Sequence, residues 1–191
     1  MEVSYETIRQ WGYRFGQEFA TKLRRRRPGD KWHMDEVFVR IQGRQHYLWR
    51  AVGQDGIVLD VLVQSRRNTR AAKRFFRKLL KGLRYVPRVI VTDQLKSYGA
   101  AKKEILPGVE HRQSRYLNNR AENSHRPTRK RERHMQRFKS VRQAQRFLSA
   151  HGPLYQHFRP SLHQMSAAEY RAARAQAFAV WQQETCVQKA A

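Results

Sequence analysis

The chain has 191 residues and carries 40 Lys and Arg against 15 Asp and Glu, which gives a formal net charge of +25. A single cysteine, Cys186, excludes a disulfide framework and a Cys-based zinc site. No apolar run approaches the roughly 18 residues of a membrane-spanning helix, and the N-terminus MEVSYETIRQ lacks the apolar core of a signal peptide.

The positive charge favours a polyanionic partner, because self-repulsion of this size is tolerated best where phosphates neutralise it. The basic residues are spread along the chain instead of lying in one amphipathic helix, which favours nucleic acid over an anionic membrane surface. A chain of this length can bury one large core but not two. We therefore expect one soluble, intracellular, catalytic-sized domain with appendages.

The first predicted element is a helix that begins after Ser4, a favourable N-cap residue, and runs to about Lys22. Its apolar side chains recur at helical spacing, at Ile8, Trp11, Phe15 and Phe19. A basic run and a Pro-Gly pair follow and indicate a linker; the run consists of Arg24, Arg25, Arg26 and Arg27. Such a run is often only a solvated surface, but the total charge favours phosphate contact.

The next segments have the pattern of three strands: KWHMDEVFVRI, RQHYLWRAVG and IVLDVLVQS. Turn signals separate them at Gln42-Gly43 and at Asp55-Gly56. Short connections between consecutive strands predict an antiparallel meander. We expect three aromatic side chains in the core of this sheet, namely Phe38, Tyr47 and Trp49.

A helix capped by Asn68 or Thr69 is the clearest in the sequence. One apolar face is formed by Ala72, Phe75, Phe76, Leu79, Leu80 and Leu83. After Pro87 comes RVIVTD, a short β-branched run typical of a strand that is buried on both faces. A crossover helix followed by such a strand predicts a parallel partner and therefore a mixed sheet.

Three acidic residues stand out in this basic chain. Asp93 directly follows the buried strand, at the end where ligands of open α/β sheets gather. Asp35 lies in the first strand, and its neighbour Glu36 should point to the opposite face, so that only one of the two can join a site with Asp93. Glu122 lies in a segment that is predicted to be helical on either side of Pro127, which indicates a kink or a late helix start.

Converging carboxylates repel one another unless they are protonated or a cation lies between them. Oxygen ligands suit magnesium or manganese, and two such ions roughly 4 Å apart can activate a hydroxyl and stabilise the leaving oxygen of a phosphodiester. Each acid has an ordinary alternative, as a turn former or as a salt-bridge partner. A topology that can bring all three together favours metal-dependent chemistry on DNA. In a continuous helix, His125, Arg126 and Arg129 would lie on or near the face of Glu122 and hold the strand.

The strings WHMDE, TDQLKSYGAA and VEHRQSRYLNNRAENSH, followed by basic residues and RFKS, resemble the DDE transposases of bacterial insertion-sequence family six. The resemblance extends from SYETIRQW to about Phe158. It implies an α/β, RNase H-like catalytic core in which Asp35, Asp93 and Glu122 form the catalytic and metal-binding triad, with Arg129 as the basic residue seven places after the glutamate. The 28 residues between Asp93 and Glu122 are fewer than is usual in this family, which implies a trimmed connection.

The resemblance also implies partners and a location. The expected cofactors are two magnesium or manganese ions, and the expected partner is double-stranded DNA, both the inverted-repeat ends and the target. Two ends must be held together, which implies a homo-oligomer in the bacterial cytoplasm, at the nucleoid and away from membranes. The expected DNA-binding residues are Arg24, Arg25, Arg26, Arg27, Arg126, Arg129, Lys130 and Arg131.

We expect three regions along the chain. A partial DNA-binding helix and basic linker would occupy residues 1–28, the RNase H-like DDE domain 29–160, and a helical extension 161–191. The first region resembles only the second helix of a helix-turn-helix, since relatives carry additional residues upstream. Two alternatives to an active transposase therefore stay open: an N-terminally truncated, inactive DNA-binding remnant, and a generic RNase H-like nuclease without strand transfer.

Overall fold

The computed structural model describes residues 3–23, 28–114, 116–134, 138–159 and 165–185. The chain divides into two compact units, one formed by residues 27–149 and the other by residues 1–26 together with 150–191. Within the described ranges, none of the helices is both long and apolar enough to span a membrane.

The larger unit is built on one five-stranded sheet. Its strands are β1 (Lys31–Ile41), β2 (Arg44–Gly53), β3 (Val58–Gln64), β4 (Val89–Thr92) and β5 (Glu110–Gln113). They lie in the order β3-β2-β1-β4-β5; β1, β2 and β3 are antiparallel, whereas β1, β4 and β5 are parallel. The predicted meander and the predicted mixed sheet are both confirmed, and β5 extends the sheet on its parallel side.

Helices cover both faces of this sheet and also form the smaller unit. They are α1 (Tyr5–Leu23), α2 (Thr69–Leu83), α3 (Lys96–Ile105), α4 (Asn119–His134), α5 (Val141–Phe158) and α6 (Ala167–Thr185), and a short 3₁₀ turn (Tyr116–Asn118) precedes α4. Pro127 lies inside α4, which begins well before it. The late helix start that this proline suggested is therefore wrong, and the helix is continuous.

The first hairpin turn follows from its sequence. Gln42 and Gly43 both have positive φ, 51° and 76°. This is the backbone that a two-residue turn needs to match the twist of its strands, and glycine adopts it without strain. The turn fixes the register of β1 on β2, in which Asp35 lies opposite Arg50.

One face of the sheet is covered by α2 and α3. The Asn68 side chain caps α2 by accepting a 3.0 Å hydrogen bond from the Ala71 amide. The apolar core on this face includes Trp32, Met34, Trp49, Phe75, Phe76, Leu79 and Tyr98. Burying this much apolar surface is the main stabilising contribution of the helices.

The aromatic residues of the hairpin are not all in this core. Trp49 is buried and contacts Tyr98 edge-on, with ring centroids 5.3 Å apart. Tyr47 is only half-buried, and Phe38 is 57% exposed. The prediction that all three lie in the sheet core is therefore wrong for Phe38, which lies on the α2 and α3 face at the end of β1 that those helices leave exposed.

The opposite face packs against α4 and the first part of α5. Its core includes Val39, Ile41, Leu48, Val61, Ala121, Ala144 and Leu148. The Gln145 side chain joins α5 to β3 by donating to the Val61 carbonyl at 3.0 Å and accepting from the Val63 amide at 2.8 Å. The helix that carries Glu122 is thus part of a packed layer.

The smaller unit contains α1 and α6. Phe19 and Trp181 pack edge to face with ring centroids 5.2 Å apart, and Lys22 donates to the Glu184 carbonyl at 3.0 Å. The predicted start of α1 is confirmed, since the Ser4 hydroxyl accepts from the Thr7 amide at 3.1 Å.

Candidate active site

The parallel pairing of β1 with β4 brings two of the predicted acids together. Met34 lies opposite Thr92 in this pairing, and each is followed directly by an aspartate, Asp35 and Asp93. The β-branched run of β4 is buried along its whole length and ends at Thr92. The topology therefore places the two carboxylates side by side at the carboxyl end of the parallel strands.

A third carboxylate joins them. One oxygen each of Asp35, Glu36 and Asp93 lie within 4.8 Å of one another. Glu36 does alternate to the other face of β1, as predicted. The inference that only one of Asp35 and Glu36 can reach Asp93 is nevertheless wrong, because Asp93 lies just beyond the end of β4 and side chains from both faces of β1 approach it.

Asp35 is supported from behind by buried cationic and polar groups. Its Oδ2 lies 3.4 Å from Nε2 of His125, on α4, and its side chain is 13% exposed. Arg50 is buried opposite Asp35 and donates to the Ser124 carbonyl of α4. Burial lowers the pKa of Arg50 to about 10, against the opposing effect of the Asp35 charge, so its guanidinium stays charged at neutral pH.

His125 is neutral at physiological pH in this setting. Burial lowers its pKa to about 4, although the hydrogen-bonding and charge effects of Asp35 oppose the shift. The nearby charges of Arg50 and Arg129 add to the lowering. A neutral imidazole beside Asp35 leaves that carboxylate's charge available for a cation.

Glu36 lies on the other face, where Arg67 pairs with it. Arg67 donates to Glu36 Oε1 from Nε at 2.6 Å and approaches it with Nη2 at 2.5 Å. The Glu36 side chain is only 1% exposed. Burial raises the pKa of Glu36 to about 7, and the Asp93 charge adds to this, while Tyr98 and Arg67 act in the opposite direction.

The buried phenol of Tyr98 lies next to Glu36 on this face. It is fully buried, and its burial together with the neighbouring charge of Glu36 raises its pKa well above the ordinary value. Tyr98 therefore stays protonated and forms the buried wall of the acidic cluster.

Asp93 is the most exposed of the three carboxylates, at 30% of its side chain. Its Oδ1 accepts from the Leu95 amide at 3.0 Å, and its Oδ2 lies 3.4 Å from Nη2 of Arg67. Burial raises its pKa; the Leu95 hydrogen bond lowers it, and the Asp35 charge raises it further. The carboxylate is thus oriented by the loop that follows β4 while it still faces solvent.

Glu122 lies on α4, one helical turn before His125. The turn that leads into this helix is tied to β1 next to Asp35, because Asn118 Nδ2 donates to the Met34 carbonyl at 2.8 Å. The side chain of Glu122 lies outside the described residues, so its membership of the triad stays a prediction.

The predicted basic residues are described only in part. Arg126, Arg129 and Lys130 are exposed on α4. The side chain of Arg131 and the whole of residues 24–27 lie outside the described part. The DNA-binding role of all these residues stays a prediction.

Three residues of the site were not singled out as site members by the sequence: Arg50, Arg67 and Tyr98. His125 was expected beside Glu122 on the face that holds the DNA strand, but the structure buries it next to Asp35. Arg50 had a usable signal, since it is a lone charge in the apolar strand YLWRAVG. Arg67 had none, because it is one of 40 Lys and Arg and its partners are distant in sequence.

The donor set at this site fits a divalent metal ion. Three carboxylates supply hard oxygen ligands close to one another, and their mutual repulsion falls when a cation joins them. Two of the three, Asp35 and Asp93, keep partial solvent access. The site therefore combines anionic ligands with solvent access for an ion.

Comparison with protein families finds one that matches most of the chain. A family model described as a DDE domain, of the IS240 transposase type, matches residues 29–161. The transposase for insertion sequence-like element IS431mec of Staphylococcus aureus is 30% identical over 137 residues, which cover 66% of this chain and 59% of that protein. The transposase for insertion sequence element IS257 in transposon Tn4003, also from Staphylococcus aureus, gives the same values. The chain thus spans a little under two thirds of the length of these relatives.

Solved structures share the fold. The catalytic core domain of BIV integrase has a TM-score of 0.51 at 15% identity, covering 81% of this chain and 99% of that one. A chain of the simian T-cell lymphotropic virus intasome, solved with the PP2A regulatory subunit B56 gamma, has a TM-score of 0.52 at 12% identity and covers 86% of this chain and 57% of that one. The predicted RNase H-like fold is confirmed.

Proposed function

We propose that this chain, which belongs to the DDE domain family, acts as the transposase of a bacterial insertion sequence. It would cut DNA at the ends of the element and join those ends to target DNA. The observation that carries the proposal is the meeting of Asp35 and Asp93 at the ends of two parallel strands, beneath the helix that bears Glu122.

In this proposal Asp35, Asp93 and Glu122 hold the metal, with Glu122 reaching the site from α4. Two magnesium or manganese ions, when bound, would supply Lewis-acid activation of the attacking and leaving oxygens of a phosphodiester. The chain's own groups hold the ligands in place: Leu95 orients Asp93, and the buried Arg50 and His125 lie behind Asp35. Ligands oriented in advance need less rearrangement as the reaction proceeds.

The DNA strand would lie along α4. Arg126, Arg129 and Lys130 are exposed on this helix within a few residues of Glu122, and Arg131 follows them in sequence. Guanidinium groups bind phosphate through paired hydrogen bonds. The run of residues 24–27 would add sequence-independent phosphate contacts. Each neutralised phosphate steepens the salt dependence of binding by roughly 0.9 in log-log slope.

The proposed partners are the inverted-repeat ends of the element and target DNA, both double-stranded. A homo-oligomer would hold two ends together, because joining both to one target requires two active sites close to each other. The proposed location is the bacterial cytoplasm at the nucleoid, where the DNA is.

A strand-transfer assay with magnesium tests this function. A labelled duplex that carries the inverted repeat is incubated with the full chain, with its Glu122→Gln variant and with a Glu104→Gln control. Glu104 is exposed on α3 and pairs with Lys73 and Arg77, so it supplies a matched loss of one carboxylate. We expect joined product from the wild type and the control, and none from Glu122→Gln.

Two other results would contradict the proposal. Cleavage without joined product would indicate a nuclease, and salt-sensitive binding with neither reaction would indicate an inactive remnant. An Asp93→Asn variant that keeps full joining activity would show that the acidic site is assigned to the wrong residues.

A further inference from the structure

Arg67 lies between two carboxylates of the acidic cluster. Its guanidinium contacts Glu36 Oε1 from Nε at 2.6 Å, and its Nη2 lies 3.4 Å from Asp93 Oδ2. The exposed fraction of the side chain rises along this series, from 1% for Glu36 to 30% for Asp93 and 37% for Arg67. Arg67 is therefore held by the buried Glu36 and also contacts the more exposed Asp93.

The two contacts of Arg67 differ in strength. The distances to Glu36 are those of short, charge-assisted hydrogen bonds. The 3.4 Å contact with Asp93 is at the outer limit of such a bond and is open to solvent. Arg67 can therefore give up Asp93 while it keeps Glu36.

The guanidinium also lies where it opposes a metal ion. A divalent ion held by Asp93 would meet the positive charge of Arg67 at the same carboxylate, and like charges at this distance repel strongly in a partly buried site. In the absence of DNA, the charge of Arg67 therefore lowers the affinity of the protein for the metal ion. A phosphate group placed near Arg67 would neutralise its charge and offer its Nη2 a better acceptor than a carboxylate oxygen at 3.4 Å.

We propose that Arg67 couples metal binding to DNA binding. In the metal-free protein Arg67 pairs with Asp93, and when the metal binds, Nη2 exchanges its contact with Asp93 for one with a DNA phosphate. The proposal rests on the function proposed above. It adds Arg67 as a phosphate-binding residue of the site and Glu36 as the buried anchor that keeps Arg67 there.

The position of Arg67 between Glu36 and Asp93 affects when the site binds metal. DNA and metal each weaken the same contact, between Arg67 and Asp93, so that each improves the binding of the other. By linkage the two effects must be equal in size. The metal site would then be filled chiefly when DNA is in place.

Manganese titration, followed by the electron paramagnetic resonance signal of free Mn²⁺, tests this without a measurement of activity. The full chain is titrated alone and with a short duplex of arbitrary sequence, and a protein-free duplex gives the blank. The variants are Arg67→Gln and, as a matched control, Arg66→Gln, since Arg66 is an exposed arginine next to Arg67.

In the wild type we expect DNA to tighten Mn²⁺ binding by about tenfold, which is typical of coupling between two sites. Part of this gain comes from general neutralisation of the protein's charge, and Arg66→Gln should retain the whole effect. Arg67→Gln alone should bind Mn²⁺ more tightly than the wild type alone, and DNA should add only the general part of the gain. Circular dichroism checks that each variant is folded.

Two results would overturn the inference. One is an Arg67→Gln variant that binds Mn²⁺ more weakly than the wild type, as expected if Arg67 only holds Asp93 in position. The other is a gain from DNA that is the same in both arginine variants. An Asp93→Asn arm separates this failure from that of the proposed function: equal Mn²⁺ binding by Asp93→Asn and the wild type would refute the metal site itself.

Discussion

The two faces of the sheet stabilise the acidic cluster in opposite ways. On the α4 face the carboxylate, Asp35, is partly exposed, while the groups behind it, Arg50 and His125, are buried. On the α2 and α3 face the carboxylate, Glu36, is sealed, and its cation, Arg67, is more than a third exposed.

The two faces therefore differ in how firmly their arginine is held: Arg50 stays in place, whereas Arg67 can leave Asp93. Arg50 is held by the Ser124 carbonyl and cannot reach solvent without opening the packing of α4 on the sheet. Arg67 is more exposed and holds Asp93 only by a 3.4 Å contact, so that it can exchange Asp93 for another anion. The first face therefore contributes chiefly to stability, and the second face can respond to ligands.

The largest expected effect compares the two arginines directly. Arg50→Leu should lower the free energy of unfolding by about 3 kcal/mol, because it removes the charge behind Asp35 and leaves the Ser124 carbonyl without its donor. Arg67→Gln should cost about 1 kcal/mol or less, since its pairing is partly exposed and Glu36 can take up a proton. Urea unfolding without metal measures both. Equal losses would remove the distinction between the faces.

The pH dependence of stability sharpens the comparison, because each face has one buried group with a pKa shifted to a value between about 4 and 7, His125 on one face and Glu36 on the other. The folded pKa of His125, about 4, is below its ordinary 6.5, so the unfolded chain binds more protons between these values and stability rises with pH. The folded pKa of Glu36, about 7, is above its ordinary 4.5, so stability falls as pH rises from 4.5 to 7.

In the wild type these two slopes oppose each other between about pH 4.5 and 6.5. Glu36→Gln should leave the rising slope of His125, and His125→Gln should leave the falling slope of Glu36, each worth roughly 3 kcal/mol across its window. Urea unfolding at a series of pH values in a chelating buffer measures the slopes. If both variants kept the pH dependence of the wild type, the two burial-driven shifts would be wrong.

The smallest effect concerns the start of α2, which carries Arg67 just ahead of it. Asn68→Ala removes the cap on the Ala71 amide and should cost about 1 kcal/mol, whereas Asn68→Asp keeps an accepting oxygen and should cost much less. Thermal unfolding measures this. A looser helix start should also weaken the Arg67 contact with Asp93, so Asn68→Ala should bind Mn²⁺ slightly more tightly than the wild type. The reverse order would argue against that link.

Much of the fold could be predicted because its signals are local. The apolar stripe of α2, the Gln42-Gly43 turn and the β-branched run before Asp93 each specify one element within a few residues. The parallel pairing that unites Asp35 and Asp93 then follows from one crossover helix. Family resemblance added the RNase H-like fold and the assignment of Glu122.

The rest of the site depends on contacts between residues that are distant in sequence. Arg67 and Glu36 are 31 residues apart, and Arg50 and Ser124 are 74 apart. Alternation along β1 correctly sends Glu36 to the second face, but it carries no information on where β4 ends. Because β4 ends just before Asp93, the carboxylates of both Asp35 and Glu36 can reach it.

The hydrogen bond from Asn118 to the Met34 carbonyl has a consequence for the proposed metal site. It attaches the turn that leads into α4 to the main chain of β1 one residue before Asp35, where the pairing of β1 with β4 ends. This contact joins two neutral amide groups, so it does not depend on the charge state of the acids. We expect this contact to lower the reorganisation needed when a cation neutralises the carboxylates of the proposed site.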